Sequence, residues 1–307
     1  MVASPTTFHS AEVQHSVGSG SNMQFASDSV RISSLVSSSL ALAAYVAAPL
    51  ACGAHVAVAA SLKKNLSPQM AASAPAVSSP ALDDPTGPNI VIGFMGGRIQ
   101  PDNLVHREAL LIDQLRKELG SRAVVKAYAN RDGGAAHAAI LHILDLNRDG
   151  TVSPDEARRA RIVIYGHSWG ASETVTLARA LSRDGIPVLL TVQVDSVKKT
   201  GEEDDIIPPN VRQAVNIFQR AGLVHGRPVI RAENPKATTI LGNFQVSYET
   251  RRISCTQFPW YDRMLMRSHI EIESDPLIWQ WVEALIKSRM GVATAPDPAF
   301  PLPMNKQ

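Results

Sequence analysis

Short apolar runs alternate with stretches of helical periodicity along most of this chain. Runs such as residues 89–94 (NIVIGF) and 161–165 (RIVIY) are short and mostly apolar, which predicts strands buried on both faces. Residues 104–119 lie between them and place leucines on one helical face. Parallel strands need helical crossover connections, so this alternation predicts an α/β fold with a mostly parallel sheet flanked by helices.

The remaining elements follow from the same two periodicities. Further strands are predicted at 123–128, 186–194 and 238–248, with a possible strand at 227–232. Further helices are predicted at 135–144, 154–160, 170–182 and 210–220, with a last helix after Asp275. Sheets of this kind bind ligands at the carboxyl ends of their strands, so we expect the functional residues there.

The N-terminal part of the chain has a different composition. No charged side chain lies between Arg31 and Lys63, and the apolar segment 40–60 is long enough to cross a bilayer. It resembles a signal peptide with a cleavage site at 57–59, or an uncleaved anchor, although a disordered Ala/Ser tail is a third interpretation. We therefore expect export to a periplasmic or extracellular location, or membrane association, rather than a cytoplasmic protein.

Composition sets the domain organisation and excludes some classes of protein. We predict four segments: a leader at 1–66, an Ala/Ser/Pro linker at 67–88, one folded domain at 89–290 and a tail at 291–307. A formal net charge of +2 argues against a dedicated nucleic-acid binder. The two cysteines are too few for a disulfide framework or a cysteine-based zinc site.

A candidate nucleophile lies between a predicted strand and a predicted helix. Residues 166–170 read Gly-His-Ser-Trp-Gly, a G-x-S-x-G pattern in the strand–turn–helix context that its chemistry requires. The tight turn would present the Ser168 hydroxyl above the sheet, at a helix N-terminus that favours developing negative charge. An ordinary glycine-rich turn is the alternative.

A serine nucleophile needs a base and an acid that orients the base. Two histidines follow Ser168 in the chain. His269 lies ahead of the last predicted helix and is the favoured base, whereas His225 lies in a loop. Asp195 ends the strand that follows the nucleophile's helix and is the favoured acid, with Glu233 as its rival; Asp204 belongs to a polar turn and is expected to be solvated.

The developing oxyanion needs two backbone N–H donors. Trp169, which follows the nucleophile, should supply one donor. The loop after the first strand, 93–97 (GFMGG), should supply the other through Phe94 or Met95.

These motifs together resemble the α/β-hydrolase superfamily, in particular its lipase- and esterase-like members. The resemblance rests on IVIGFMGG near residue 90, IVIYGHSWG at the nucleophile, VDS at 194–196 and SHIEIE at 268–273. It implies hydrolysis of a small-molecule or lipid ester, or of a thioester, by Ser168, His269 and Asp195. An amidase or acyltransferase would use the same triad.

A second motif precedes the nucleophile's strand. Residues 145–156 (DLNRDGTVSPDE) fit the pattern D-x-N-x-D-G-x5-E and resemble an EF-hand calcium loop. The oxygen ligands implied for Ca²⁺ come from Asp145, Asn147, Asp149, Thr151 and Glu156. We expect a structural calcium site here, with a polar turn that binds nothing as the alternative. A calcium-dependent binding protein without turnover is the second functional hypothesis.

Overall fold

The computed structural model describes residues 87–292 and 299–302. The predicted leader and its apolar segment lie outside these residues, as does nearly all of the linker. Within the described ranges, none of the helices combines the length and the apolar character needed to span a bilayer.

A parallel sheet organises the domain. Its order is β2-β1-β3-β4-β6-β8, and every pairing is parallel. A small parallel pair, β5-β7, lies apart from it. The strands are β1 Asn89–Met95, β2 Val124–Ala129, β3 Arg161–His167, β4 Val188–Val194, β5 Ile206–Ile207, β6 Val211–Phe218, β7 Arg231–Ala232 and β8 Thr239–Gln245.

Helices connect the first four strands and follow the last one, whereas no helix lies in the described segment between β4 and β8. They are α1 Arg107–Leu119, α2 Gly133–Leu144, α3 Pro154–Arg158, α4 Trp169–Arg183, α5 Trp260–Leu265, α6 Arg267–Ser274 and α7 Pro276–Arg289. A short 3-10 turn, Gly120–Arg122, leads into β2. The predicted fold class, a mostly parallel sheet flanked by helices, is confirmed.

The sheet has an apolar core on each face. Along β1, Ile90 and Ile92 face the core formed with α2 and α4, whereas Val91 faces the core formed with α1 and α7. Opposite orientation of successive side chains is a property of extended backbone. Full burial of one such side chain stabilises the fold by about 1.5–3 kcal/mol, which explains why the central strands are apolar at nearly every position.

Part of the predicted tail packs on this core. Phe300 stacks on Phe244, with the ring centroids 4.4 Å apart, and meets Trp281 edge to face. Leu302 also contacts the core that includes α7. The packing of the domain therefore extends past residue 290.

The helix predicted at 210–220 was wrong, because this segment forms strand β6. Val211–Phe218 is paired with β4 on one side and β8 on the other. Its side chains are buried over the last five residues, so apolar residues occur without alternation and imitate a helical pattern. The predicted strand at 227–232 shortens to the two residues of β7.

The C-terminal region also differs from the prediction. Two short helices, α5 and α6, precede the last helix. His269 was predicted to lie ahead of the last helix, and it lies there within α6 and is buried. The helix holds the imidazole rigidly at the edge of the sheet where β3 and β4 end.

Candidate active site

Ser168 occupies a strained turn between β3 and α4. It has φ 56° and ψ −125°, a left-handed value of φ that non-glycine residues seldom adopt. A Cβ on Gly166 would lie 2.4 Å from the backbone of Gly170, and a Cβ on Gly170 would lie 2.4 Å from the carbonyl oxygen of Phe94. Both glycines of the motif are therefore required by close backbone packing around the serine.

Three predicted residues meet at the carboxyl ends of β3 and β4. The Nε2 atom of His269 lies 2.9 Å from Ser168 Oγ, and its Nδ1 atom lies 2.6 Å from Asp195 Oδ2. An aspartate carboxylate only accepts hydrogen bonds, so Nδ1 carries the proton and Nε2 is free to accept from the serine hydroxyl. This is the arrangement that activates a serine nucleophile.

Asp195 is held by the backbone around it as well as by the histidine. Its Oδ1 accepts from the N–H of Gly226 at 2.7 Å and of Gln219 at 3.0 Å, and the Gln219 side chain donates to Oδ2 at 2.9 Å. Asp195 also has a positive φ, 47°. The sequence analysis missed Gln219, which directly follows β6, because that segment was predicted to be a helix.

The rival residues are not at the site. Glu233 is half exposed and lies 3.9 Å from Arg179. His225 contacts the carbonyl oxygen of Gly226 at 3.4 Å, and the structure gives it no contact with Ser168. Among the open alternatives, the structure brings Asp195 and His269 to the serine.

Asp204 was expected to be solvated, and this was wrong. It is completely buried, accepts a hydrogen bond from Ser196 Oγ at 2.6 Å and forms an ion pair with Arg227. Burial of a carboxylate is tolerated when it is paired in this way. Asp204 is therefore a buried residue that stabilises the loop after Asp195, and it does not lie in a solvated turn.

The predicted oxyanion donors belong to two segments that lie next to Ser168. Trp169 is the first residue of α4, so its N–H has no acceptor within the helix. Phe94 is fully buried inside β1 and does not line the cleft at Ser168, whereas Gly96 and Gly97 do. Gly96 donates its N–H to Glu108 at 3.3 Å. The N–H of Gly97 makes no hydrogen bond among the described residues.

Asn130 fixes the loop that carries these glycines. It is buried at the end of β2 and donates to the carbonyl oxygens of Met95 and Gly97. A buried donor with two backbone acceptors holds a loop in one conformation. This residue was not singled out from the sequence, since a lone asparagine after a strand carries no distinctive pattern.

The cleft at Ser168 is small and has an apolar rim. It measures about 130 Å³ and is lined by Ser168 and His269 together with Phe258, Met266 and Ile270. The helix beside it, α5, leaves four large side chains exposed: Trp260, Tyr261, Met264 and Leu265. Trp169 is 40% exposed next to the nucleophile.

A second buried imidazole, that of His167, packs against His269. The rings of His167 and His269 have centroids 4.5 Å apart and an interplanar angle of 30°. Burial alone would lower the pKa of His167, but the contact with Glu108 and the charge of Glu273 together raise this pKa to about 9. The positive charge of His167 is thus neutralised by the carboxylates of Glu108 and Glu273.

The loop 145–156 contains the oxygens that calcium prefers but uses them internally. Asp145 accepts from the N–H of Asp149 at 3.1 Å and of Gly150 at 3.0 Å. Glu156 accepts from the N–H of Leu146 and of Ser153, and also from the Ser153 hydroxyl at 2.7 Å. Hydrogen bonds from Ser153 lower the pKa of Glu156, so the carboxylate is ionised.

The oxygen atoms of this loop are of the type and number that Ca²⁺ needs, since the ion takes six to eight oxygen ligands. Asp145, Asn147, Asp149 and Glu156 provide side-chain oxygens, and Thr151 provides its carbonyl. Glu156 would have to exchange its present hydrogen bonds for the ion. A broad depression of about 500 Å³ lies beside the loop and shares no lining residue with the cleft at Ser168.

Comparison with known proteins gives similarity in fold only. No family model and no curated protein matches the chain. One similar solved structure, from Xanthomonas campestris pv. campestris, is provisionally named a hydrolase of the alpha/beta superfamily; it is 14% identical, with a TM-score of 0.26, over 42% of this chain and 71% of that chain. A cutinase-like protein from Cryptococcus sp. is 12% identical, with a TM-score of 0.34, over 66% of this chain and 95% of that chain.

These values are too low to carry an argument on substrate or mechanism. The class is defined by the chain's own features, which are a parallel six-stranded sheet and a strand–serine–helix turn. The chain has a compact α/β fold, with a parallel sheet flanked by helices.

Proposed function

We propose that this protein is a serine hydrolase that cleaves esters or thioesters. The observation that carries the proposal is the continuous contact from Asp195 through His269 to Ser168, with separations of 2.6 Å and 2.9 Å. These residues are far apart in the chain and converge where β3 and β4 end. Such convergence of nucleophile, base and acid is how triads are recognised on unrelated sequences.

The reaction follows from the positions of these atoms. Ser168 Oγ attacks the carbonyl carbon while its proton passes to His269 Nε2, and Asp195 stabilises the resulting imidazolium. The imidazolium then protonates the leaving alcohol or thiol, and an acyl-enzyme remains on Ser168. Water attacks this ester with His269 again as base, which releases the acid and restores the hydroxyl.

The tetrahedral intermediates carry a negative oxygen that needs donors. We assign one donor to the Trp169 N–H at the start of α4, where the helix dipole also favours negative charge. Phe94 lies inside the sheet, so we assign the second donor to the N–H of Gly97, which lines the cleft. A donor lost from such a pair costs about 10²–10³-fold in kcat.

The apolar rim favours a substrate with a hydrocarbon part. Trp169 flanks the serine. Asp262 of α5 and Met266, which directly follows α5, line the cleft, and α5 exposes Trp260 and Met264. Exposed apolar side chains grouped around a polar site are typical of surfaces that bind apolar ligands. We propose acyl esters of medium or long chain, including lipid esters, as the substrates.

A panel of p-nitrophenyl esters from acetate to palmitate tests both parts of this proposal on the full-length chain. Hydrolysis should occur in the wild type and disappear in Ser168→Ala, with kcat/KM highest for the longer chains. Highest activity on acetate would contradict the substrate class alone. Absence of hydrolysis of every ester, thioester and amide by folded protein would contradict the hydrolase assignment.

We also propose that the loop 145–156 binds a structural calcium ion. The support is the oxygen donor set and the position of the loop, since α3 leads from it directly into β3. Bound calcium would brace the connection to the strand that carries Ser168. Isothermal titration of the chelator-treated protein should give one site, lost in Glu156→Gln; a lack of heat in the wild type would contradict it.

A further inference from the structure

A second group of buried ionisable side chains lies behind the triad. His106 precedes α1, Glu108 lies in α1, His167 ends β3 and Glu273 lies in α6. All of these residues are at most 8% exposed. The triad chemistry uses none of them, yet three segments of the chain converge to place two imidazoles and two carboxylates together. We call them the His/Glu cluster.

The spacing within the His/Glu cluster suits a small cation. His167 Nδ1 lies 3.4 Å from Glu108 Oε1 and 3.6 Å from Glu273 Oε2, and His106 Nδ1 lies 2.5 Å from Glu273 Oε1. Ligands of a tetrahedral ion with bonds of about 2.0–2.2 Å are about 3.3–3.6 Å apart. Two of these separations already match, and the third would open by about 1 Å.

Two buried atoms of the His/Glu cluster lack a partner. Glu108 Oε2 and His167 Nε2 accept or donate no hydrogen bond among the described residues. A buried carboxylate oxygen without a partner is costly and is rare in folded proteins. Ligand atoms of His106, Glu108 and Glu273 also lie within 4.8 Å of one another, so a cation held between these side chains would give the Glu108 carboxylate a partner.

Charge and ligand type narrow the class of ion. Two carboxylates are neutralised by one divalent cation when both imidazoles are neutral, so the buried group carries no net charge. Imidazole nitrogen combined with carboxylate oxygen suits zinc and neighbouring transition metals, whereas calcium prefers oxygen alone. His106, His167 and Glu273 also line the cleft at Ser168, which gives an ion a route of entry.

We propose that His106, Glu108, His167 and Glu273 bind a divalent transition-metal ion, with zinc as the preferred metal. The ion would fix two parts of the catalytic apparatus. His167 directly precedes Ser168, and Glu273 lies one helical turn after His269 in α6. This metal site is separate from the loop 145–156 and does not depend on the protein being a hydrolase.

Cobalt binding tests the proposal without an activity assay. The full-length chain, freed of any tag and treated with chelator, is titrated with Co²⁺ and followed by the visible absorption of tetrahedral cobalt. We expect one equivalent to bind and zinc to displace it. His106→Gln and Glu108→Gln should each weaken binding by about 100-fold or more, because each removes a ligand.

Two controls separate this site from others. The triad also places His167, Asp195 and His269 within 4.8 Å of one another, so His269→Ala must retain the cobalt spectrum if the His/Glu cluster is the site. Glu156→Gln must retain it as well. No tetrahedral band in folded wild type would overturn the proposal. So would a band that survives both ligand substitutions, or one lost in His269→Ala.

Discussion

Two turns of this chain carry sequence motifs, and they differ in how far along the chain their contact partners lie. In the loop 145–156, all candidate ligands belong to one short segment, and their hydrogen bonds are made inside it. In the turn around Ser168, the partners come from residues 27 and 101 positions further along the chain, since they are Asp195 and His269. The first motif is local, and the second depends on the whole sheet.

Backbone strain shows the same contrast. The non-glycine residues with positive φ among the described residues are Arg148, in the loop, and Ser168 and Asp195, in the triad. Arg148 lies in an exposed loop, whereas Ser168 and Asp195 lie at the ends of buried strands. Strain at buried positions persists only where surrounding packing enforces it. We therefore expect changes around the triad to have larger effects than changes in the loop.

The largest effect should come from Asp195→Asn. The amide cannot fix the imidazole in the required tautomer, so kcat should fall by about 10⁴-fold. Steady-state hydrolysis of the best p-nitrophenyl ester measures this, and circular dichroism checks the fold. Asp205→Asn, one of the acidic residues of the following turn, is the matched control and should keep full activity. A decrease in kcat of less than 10-fold in Asp195→Asn would contradict the claim that the distant residue Asp195 supports Ser168.

A smaller loss should follow Gln219→Ala, because Gln219 positions Asp195 and does not touch the substrate. Each buried hydrogen bond to a charged group contributes about 1.5–3 kcal/mol. We therefore expect kcat to fall by about 10- to 100-fold with KM nearly constant, and the acid limb of the kcat pH profile to shift. Gln114→Ala, on an exposed helix face, should change none of these. An unchanged pH profile would show that Gln219 has only a structural role.

Gly226→Ala tests the close approach of backbone to Asp195. A Cβ there would lie 2.4 Å from Asp195 Oδ1, so unfolding free energy should fall by about 1–3 kcal/mol and activity should fall with it. Gly134→Ala is the control, since nothing lies within 4 Å of its Cβ position. It should raise stability by about 0.4–1 kcal/mol. Urea unfolding distinguishes the two, and equal effects would contradict the packing account.

Calcium removal should give the smallest change. At calcium ten times Kd, binding stabilises the fold by about 1.4 kcal/mol, which corresponds to a Tm shift of about 3–6 °C for a domain of this size. Chelator should lower Tm by that amount in the wild type and leave Glu156→Gln unaffected; Glu249→Gln should respond like the wild type. A chelator-induced loss of kcat at low temperature would indicate that the loop is not merely a local support.

The sequence predicted the central apolar strands, but it missed several residues whose partners are distant in the chain. The apolar strands β1 and β3 are recognisable because burial on both faces leaves no other pattern. The same burial made β6 look helical, and with that error Gln219 was missed. Asn130 and the His/Glu cluster were missed because their partners are distant in sequence, and their meeting depends on how the sheet folds.

The proposed oxyanion donor shows the same limit at the scale of a few residues. The sequence predicted Phe94 or Met95 as the donor in the loop 93–97, and we propose Gly97 instead. Phe94 continues β1 and is buried between its neighbours, while the chain turns only at Gly97, which has φ 46°. Where a strand stops is decided by pairing with adjacent strands, which a single sequence does not reveal.

Covalent labelling with a fluorophosphonate probe tests the central claim most directly. Ser168 Oγ should displace fluoride from phosphorus while its proton passes to His269, and peptide mass spectrometry should find the adduct on Ser168. Labelling should be stoichiometric in the wild type and at least about 10³-fold slower in His269→Ala. Folded wild-type protein that leaves Ser168 unlabelled, or labels it at the same rate without His269, would contradict the account.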